Sequence, residues 1–115
     1  MAVSVEDIKK AVTRQEYLTL TAGDDGNALR ALERASLWVK GKVLSTGNEF
    51  DEENEVIKTA VITRSVYELF SFVGFESRAK QKAEDARELL ESYFGNTAGG
   101  ENREMNPIAG AIRVP

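Results

Sequence analysis

Both prolines of the chain, Pro107 and Pro115, lie in its last nine residues. A proline inside a helix removes one hydrogen bond and clashes with the carbonyl four residues back. Nothing before Asn106 therefore forbids helix by ring sterics. The glycines at 23 and 26, 41 and 47, 74, and 95, 99 and 100 punctuate this proline-free region into helix-sized stretches. The expectation is an all-α chain: a compact bundle of four to five helices over 1–95, followed by an extended C-terminal tail over 96–115.

Hydrophobic spacing fills in the stretches. Val5, Ile8 and Val12 recur at helical intervals behind a Ser4/Asp7 pair, predicting a helix over about 4–12. Thr13-Arg-Gln-Glu16 has the form of a capping box, so the chain bends and restarts as a short helix over about 14–20. Tyr17, Leu18 and Leu20 are expected in the core. After the turn Gly23-Asp-Asp-Gly26, with Asp25 or Asn27 as cap, a helix is predicted over about 27–44. Its stripe is Ala28, Leu32, Ala35, Val39 and Val43, widened by Leu37 and Trp38. A third long helix, capped by Asp51 and ending near Val73, is apolar on nearly every side, the mark of a central, buried helix. Its β-branched residues leave some strand character, but its length exceeds a usual strand. A last helix over about 78–94, capped by Ser77, carries the narrow stripe Ala79, Ala83, Ala86, Leu90 and Tyr93.

Charge narrows the chemistry. The formal net charge is -4, and the segment Thr46–Lys58 alone accounts for it through Glu49, Asp51, Glu52, Glu53 and Glu55 against Lys58. The chain has no cysteine and no histidine. Thiolate and imidazole catalysis, disulfides and Cys- or His-ligated metal are excluded. No nucleotide-binding glycine motif occurs. No apolar run is long enough to cross a membrane, and Met1–Asp7 lacks the basic and apolar regions of a signal peptide. No catalytic residue, metal or cofactor is expected.

The remaining candidates each admit two readings. Asp24-Asp-Gly-Asn27 looks superficially like a cation loop, but a turn with an N-cap explains it. The acidic residues Glu49, Asp51, Glu52, Glu53 and Glu55 either meet a basic partner or divalent ion, or are a solvated helix start favoured by the helix dipole. Near DNA they would repel the backbone. Arg64, among apolar neighbours, either pairs with a buried acid or snorkels to water. Trp38 and the Phe70, Phe72 and Phe75 group are an aromatic platform for bases, or core and interface. Ile108, Ile112 and Val114 are a loose end, or a segment that docks on a neighbour.

The layout itself is familiar. Val5-Glu-Asp-Ile8 comes first. Tyr17-Leu-Thr-Leu20 then leads through a polar turn into Ala28-Leu-Arg-Ala-Leu-Glu-Arg-Ala35. An acidic loop, a long apolar helix ending Val66-Tyr-Glu-Leu-Phe70, and a helix Ala79–Tyr93 closed by Gly95 complete it. Over about 3–95 this resembles the small head–tail connector (adaptor, or head-completion) proteins of tailed bacteriophages and gene transfer particles. The resemblance implies a non-enzymatic subunit of a dodecameric ring in the virion neck, assembled in the host cytoplasm. Such a ring sits below the portal protein, extends the DNA channel without sequence-specific binding, and receives the tail or a stopper. It further implies partner contacts through a terminal segment, here Pro107, Ile108, Ile112, Val114 and Pro115. Trp38 and Phe75 are spare aromatics available for the same purpose, and the acidic loop is a channel or interface element. The alternative is a small helical protein-binding module acting through its C-terminal tail.

Overall fold

A computed structural model describes residues 3–95. These residues form five helices: α1 (Val5–Ala11), α2 (Arg14–Thr21), α3 (Asp25–Ser45), α4 (Glu55–Phe72) and α5 (Glu76–Phe94). There is no strand among the described residues. The chain is all-α, as its proline-free body predicts, and the tail 96–115 lies outside the described residues.

The bend between α1 and α2 follows from two successive caps. The Ser4 N–H donates to Asp7 Oδ2 at 2.9 Å, opening α1. Val12 is extended, and Thr13 then exchanges two bonds with Glu16: Glu16 N–H to Thr13 Oγ1 at 3.0 Å and Thr13 N–H to Glu16 Oε1 at 3.1 Å. Satisfying free N–H groups at two nearby sites favours two short helices over one rod.

The cap of α3 is Asp24, not Asp25 or Asn27, and the helix starts two residues earlier than its apolar stripe indicates. Asp24 Oδ1 accepts from Gly26 N–H at 2.8 Å. That frees Asp25 to accept the Tyr17 hydroxyl at 2.5 Å, and Asn27 to donate to the Thr21 carbonyl at 2.9 Å. The α2–α3 corner is thereby tied across the turn. Ala28, Ala31, Leu32, Ala35, Val39 and Val43 form the buried face of α3. Leu37 does not widen it and is 72% exposed, because at 100° per residue it falls on the far side from Ala35 and Val39. Leu18 likewise faces outward from α2, while Tyr17 and Leu20 are buried.

A larger correction concerns the acidic segment. Asp51 caps a turn, accepting from Glu53 N–H at 2.9 Å, and its carbonyl accepts from Asn54 N–H at 3.1 Å. Asn54 is the cap of α4, taking Val56 N–H at 2.8 Å and Ile57 N–H at 3.2 Å on its Oδ1. Only Glu55 lies in the first turn, so Glu52 and Glu53 precede the helix instead of opening it. A carboxamide that collects two N–H groups outcompetes an aspartate three residues upstream.

Helix α4 packs against all four other helices. It buries Ile57, Ala60, Val61, Ser65, Val66, Leu69 and Phe70. Ser65 avoids an unsatisfied hydroxyl by donating to the Val61 carbonyl at 2.7 Å. Its C-terminus closes as a Schellman turn: Gly74 at φ +83° lets Gly74 N–H reach the Ser71 carbonyl and Phe75 N–H reach the Phe70 carbonyl. The hydrophobic contact usual in that motif is Phe75 on Phe70, ring centroids 6.2 Å apart. This turn starts α5 directly at Glu76, so Ser77 is not its cap. Ala79, Ala86 and Leu90 face the bundle, while Tyr93 turns to solvent.

Asn54→Ala is expected to cost about 1 kcal/mol of stability, and Asp51→Ala less than half of that. Thermal denaturation followed by circular dichroism would separate the two, and equal losses would contradict the assignment of the cap.

Candidate functional site

The acidic connection between α3 and α4 is solvated but not unbalanced throughout. Lys58, one turn into α4, reaches Glu55 Oε2 at 3.4 Å and Glu53 Oε1 at 3.5 Å. The charge of Glu55 holds its ammonium above the ordinary lysine value; burial opposes this, and the charge of Glu53 adds to it. Glu49, Asp51, Glu52 and Glu53 are all exposed. Among the described residues no three Asp, Glu, His or Cys side chains gather into a metal cage. In the Asp24–Asn27 turn the capping and tying bonds already occupy the side chains.

Trp38 is half-buried and belongs to a stack that no local spacing reveals. The Arg64 guanidinium lies between two rings, 4.1 Å from the Trp38 centroid and 4.1 Å from that of Tyr67. Lys42 covers Trp38 from α3 at 5.5 Å. Arg64 therefore does not snorkel but pairs, loosely, with the largely buried Glu68. Its side chain is 15% exposed, its Nε is buried without a hydrogen bond, and the nearest carboxylate oxygen, Glu68 Oε2, is 3.7 Å away. Burial pushes its pKa below the ordinary arginine value, yet a guanidinium stays protonated, so cation–π attraction and Glu68 carry the compensation.

Glu68 serves a second arginine. Arg34 on α3 approaches its Oε1 at 3.9 Å, beyond hydrogen-bond reach. Beside this pair a shallow groove of about 70 Å³ runs between the N-terminal half of α3 and the C-terminal half of α4. Asn27, Arg30, Arg34, Glu68 and Phe72 line it. Arg30 leans on Asn27 Oδ1. Phe72 is 69% exposed.

Phe75 is half-exposed, with one edge engaged in the Schellman contact, so it is both a structural and a surface aromatic. Trp38 and Phe75 lie on separate features and are not brought into one patch. Pro107, Ile108, Ile112, Val114 and Pro115 lie outside the described residues. The groove and the Arg64 stack escape sequence reasoning because each joins residues more than 25 positions apart. The one available signal was a lone arginine amid the apolar run of α4.

A third cluster sits where α1, α2 and the α2–α3 turn meet. Lys9 lies 5.4 Å from the Tyr17 ring centroid and 3.7 Å from Asp25 Oδ2. Burial first, and then the Asp25 carboxylate, push the Tyr17 phenol well above its ordinary value of 10.0. On the far side Arg78 Nη2 donates to Glu16 Oε2 at 2.9 Å, tying α5 to α2.

No protein-family model, curated protein or solved structure matches the chain.

A phenol whose folded pKa is raised adds stability that is complete below the unfolded value and is lost as pH rises from there through the folded value. Stability should therefore fall above about pH 10, and Tyr17→Phe should make that alkaline loss shallower in denaturant melts at stepped pH. Arg64→Met fills the space between the two rings but removes the cation and the nearer partner of Glu68, and should lower the melting temperature. Arg64→Glu should lose roughly 3 kcal/mol, since it sets two carboxylates side by side under Trp38.

Proposed function

We propose that the chain is a structural head–tail connector subunit of a phage-like particle. In this reading it forms a ring in the virion neck, below the portal protein, that extends the DNA channel and receives the tail or a stopper. The observation that carries the reading is a helical frame with two chemically different exposed ends. The acidic connection with Glu49, Asp51, Glu52 and Glu53 stands at one end of the α3–α4 pair, and the arginine groove with exposed Phe72 lies toward the other. A subunit that meets unlike neighbours on two sides needs two unlike surfaces. The five-helix order agrees with the layout on which the resemblance rests. The role asks for assembly and channel geometry, and no side chain needs to do chemistry. DNA would pass the ring without being gripped, which suits a chain of net charge -4.

The test is native mass spectrometry of the full chain, alone and mixed with the portal protein of the same genome. A ring-sized complex on the portal is expected. Deleting 105–115 should abolish capture by the portal while leaving the far-ultraviolet dichroism of the helices intact. A chain that stays monomeric and ignores the portal would overturn the connector reading. Capture of some other protein through 105–115, without a ring, would favour the small helical binding module instead.

A further inference from the structure

We infer that the Arg30–Arg34–Phe72 groove is the socket for the acidic α3–α4 connection of a second copy of this chain. The inference takes its occupant, another copy, from the ring reading above, and adds which surfaces meet.

The groove carries unbalanced positive charge. Arg34 reaches only Glu68 among the described residues, at 3.9 Å, and Glu68 is shared with Arg64. Arg30 is engaged only by the neutral Asn27. Two guanidiniums thus share one carboxylate, and the groove's other arginine, Arg30, has only a neutral partner, so most N–H donors of Arg30 and Arg34 are unused. A planar guanidinium on an exposed stem is suited to a bidentate carboxylate. The groove also offers Phe72, whose largely bare ring supplies the apolar anchor that charge alone lacks.

The complement is on the same chain but out of its own reach. Glu49, Asp51, Glu52 and Glu53 place four carboxylates within five residues, next to Leu44, half-exposed in the last turn of α3. From Arg34 to the end of α3 at Ser45 is about 16 Å along the axis, and from Arg30 about 22 Å, at 1.5 Å per residue. The connection cannot fold back onto the groove without dismantling α3. A second copy can bring it there, and because the two surfaces differ, the contact is heterologous and repeats head to tail, closing into a ring when the rotation allows. Complementary charge of this kind sets register and partner choice. A nucleic acid fits the groove less well: Glu68 lies in its lining, and a single bare aromatic gives no run of stacking positions.

The experiment is sedimentation velocity on the full chain over a concentration series, at low and at physiological ionic strength. Wild type should self-associate, and more weakly at higher salt. The R30E/R34E variant should bind its own kind at least about tenfold more weakly. So should the E49K/E53K variant, whose two sites serve no helix cap. Mixed one to one, the two should associate again, since each pair retains one intact socket and one intact plug and the reversed socket and reversed plug also complement each other. Circular dichroism checks folding, and the milder R30Q/R34Q pair stands in if charge reversal unfolds the chain. The contact is overturned if wild type stays monomeric throughout, if the variants associate as wild type does, or if mixing restores nothing. It is also overturned if a labelled single-stranded oligonucleotide binds wild type and loses binding in R30E/R34E. A complete ring on the portal that still forms with R30E/R34E would overturn this contact while leaving the connector reading in place.

Discussion

The structure depends on covering one helix. Helix α4 presents apolar side chains around most of its circumference, and exposing them to water would cost about 1.5–3 kcal/mol for each large side chain. Its four neighbours remove that surface. Helix α3 covers one side through a face of alanines and valines, α5 another through Ala79, Ala86 and Leu90, and the small α1 and α2 close the gap with Ile8, Tyr17 and Leu20. Alanines at the contacts bring backbones close, which suits helices with few large side chains to interlock. The buried hydroxyls of Ser65 and Thr21 each donate to a carbonyl one turn back and need no outside partner.

Much of this order is legible in the sequence, because it rests on short-range rules. The absence of proline, the Thr13–Glu16 capping box and the 4–3–4–4 stepping of apolar residues from Ala28 to Val43 are local signals, and each corresponds to a helix. The misplaced helix starts are also local, and share a cause: several residues competed for one cap. Asp51 and Asn54 both suit a helix start, and Asn54 wins because its oxygen meets two N–H groups. Asp24, Asp25 and Asn27 compete likewise, and the losers acquire tertiary bonds to Tyr17 and Thr21. Ser77 loses its role because the Schellman turn at Gly74 leaves no room for a separate cap. Sequence spacing shows that caps exist, while their choice depends on bonds across the fold.

The surface features on which the proposals rest were less legible, since the stack and the groove are each made by two helices at once. Trp38 and Arg64 stack, and Arg34 shares Glu68 with Arg64, across the α3–α4 seam. Neither relation follows from a spacing within one helix. Even so, the charge arithmetic was half the answer. It located the acidity in one connection, and the fold supplied what the arithmetic lacked: an arginine-rich groove displaced along the same pair of helices. The acidic connection thus lies beyond the C-terminal end of α3, and the groove with Arg30 and Arg34 lies toward the other end.

The Arg64 stack has an optical consequence. Trp38 is the only tryptophan of the chain, and its indole is covered by a cation from α4 on one approach and by Lys42 on another. Intrinsic tryptophan emission therefore comes from a single position, at the seam between α3 and α4. The protein carries its own fluorescent gauge there, placed to register any event that slides or parts the two helices on which its opposite charges are mounted.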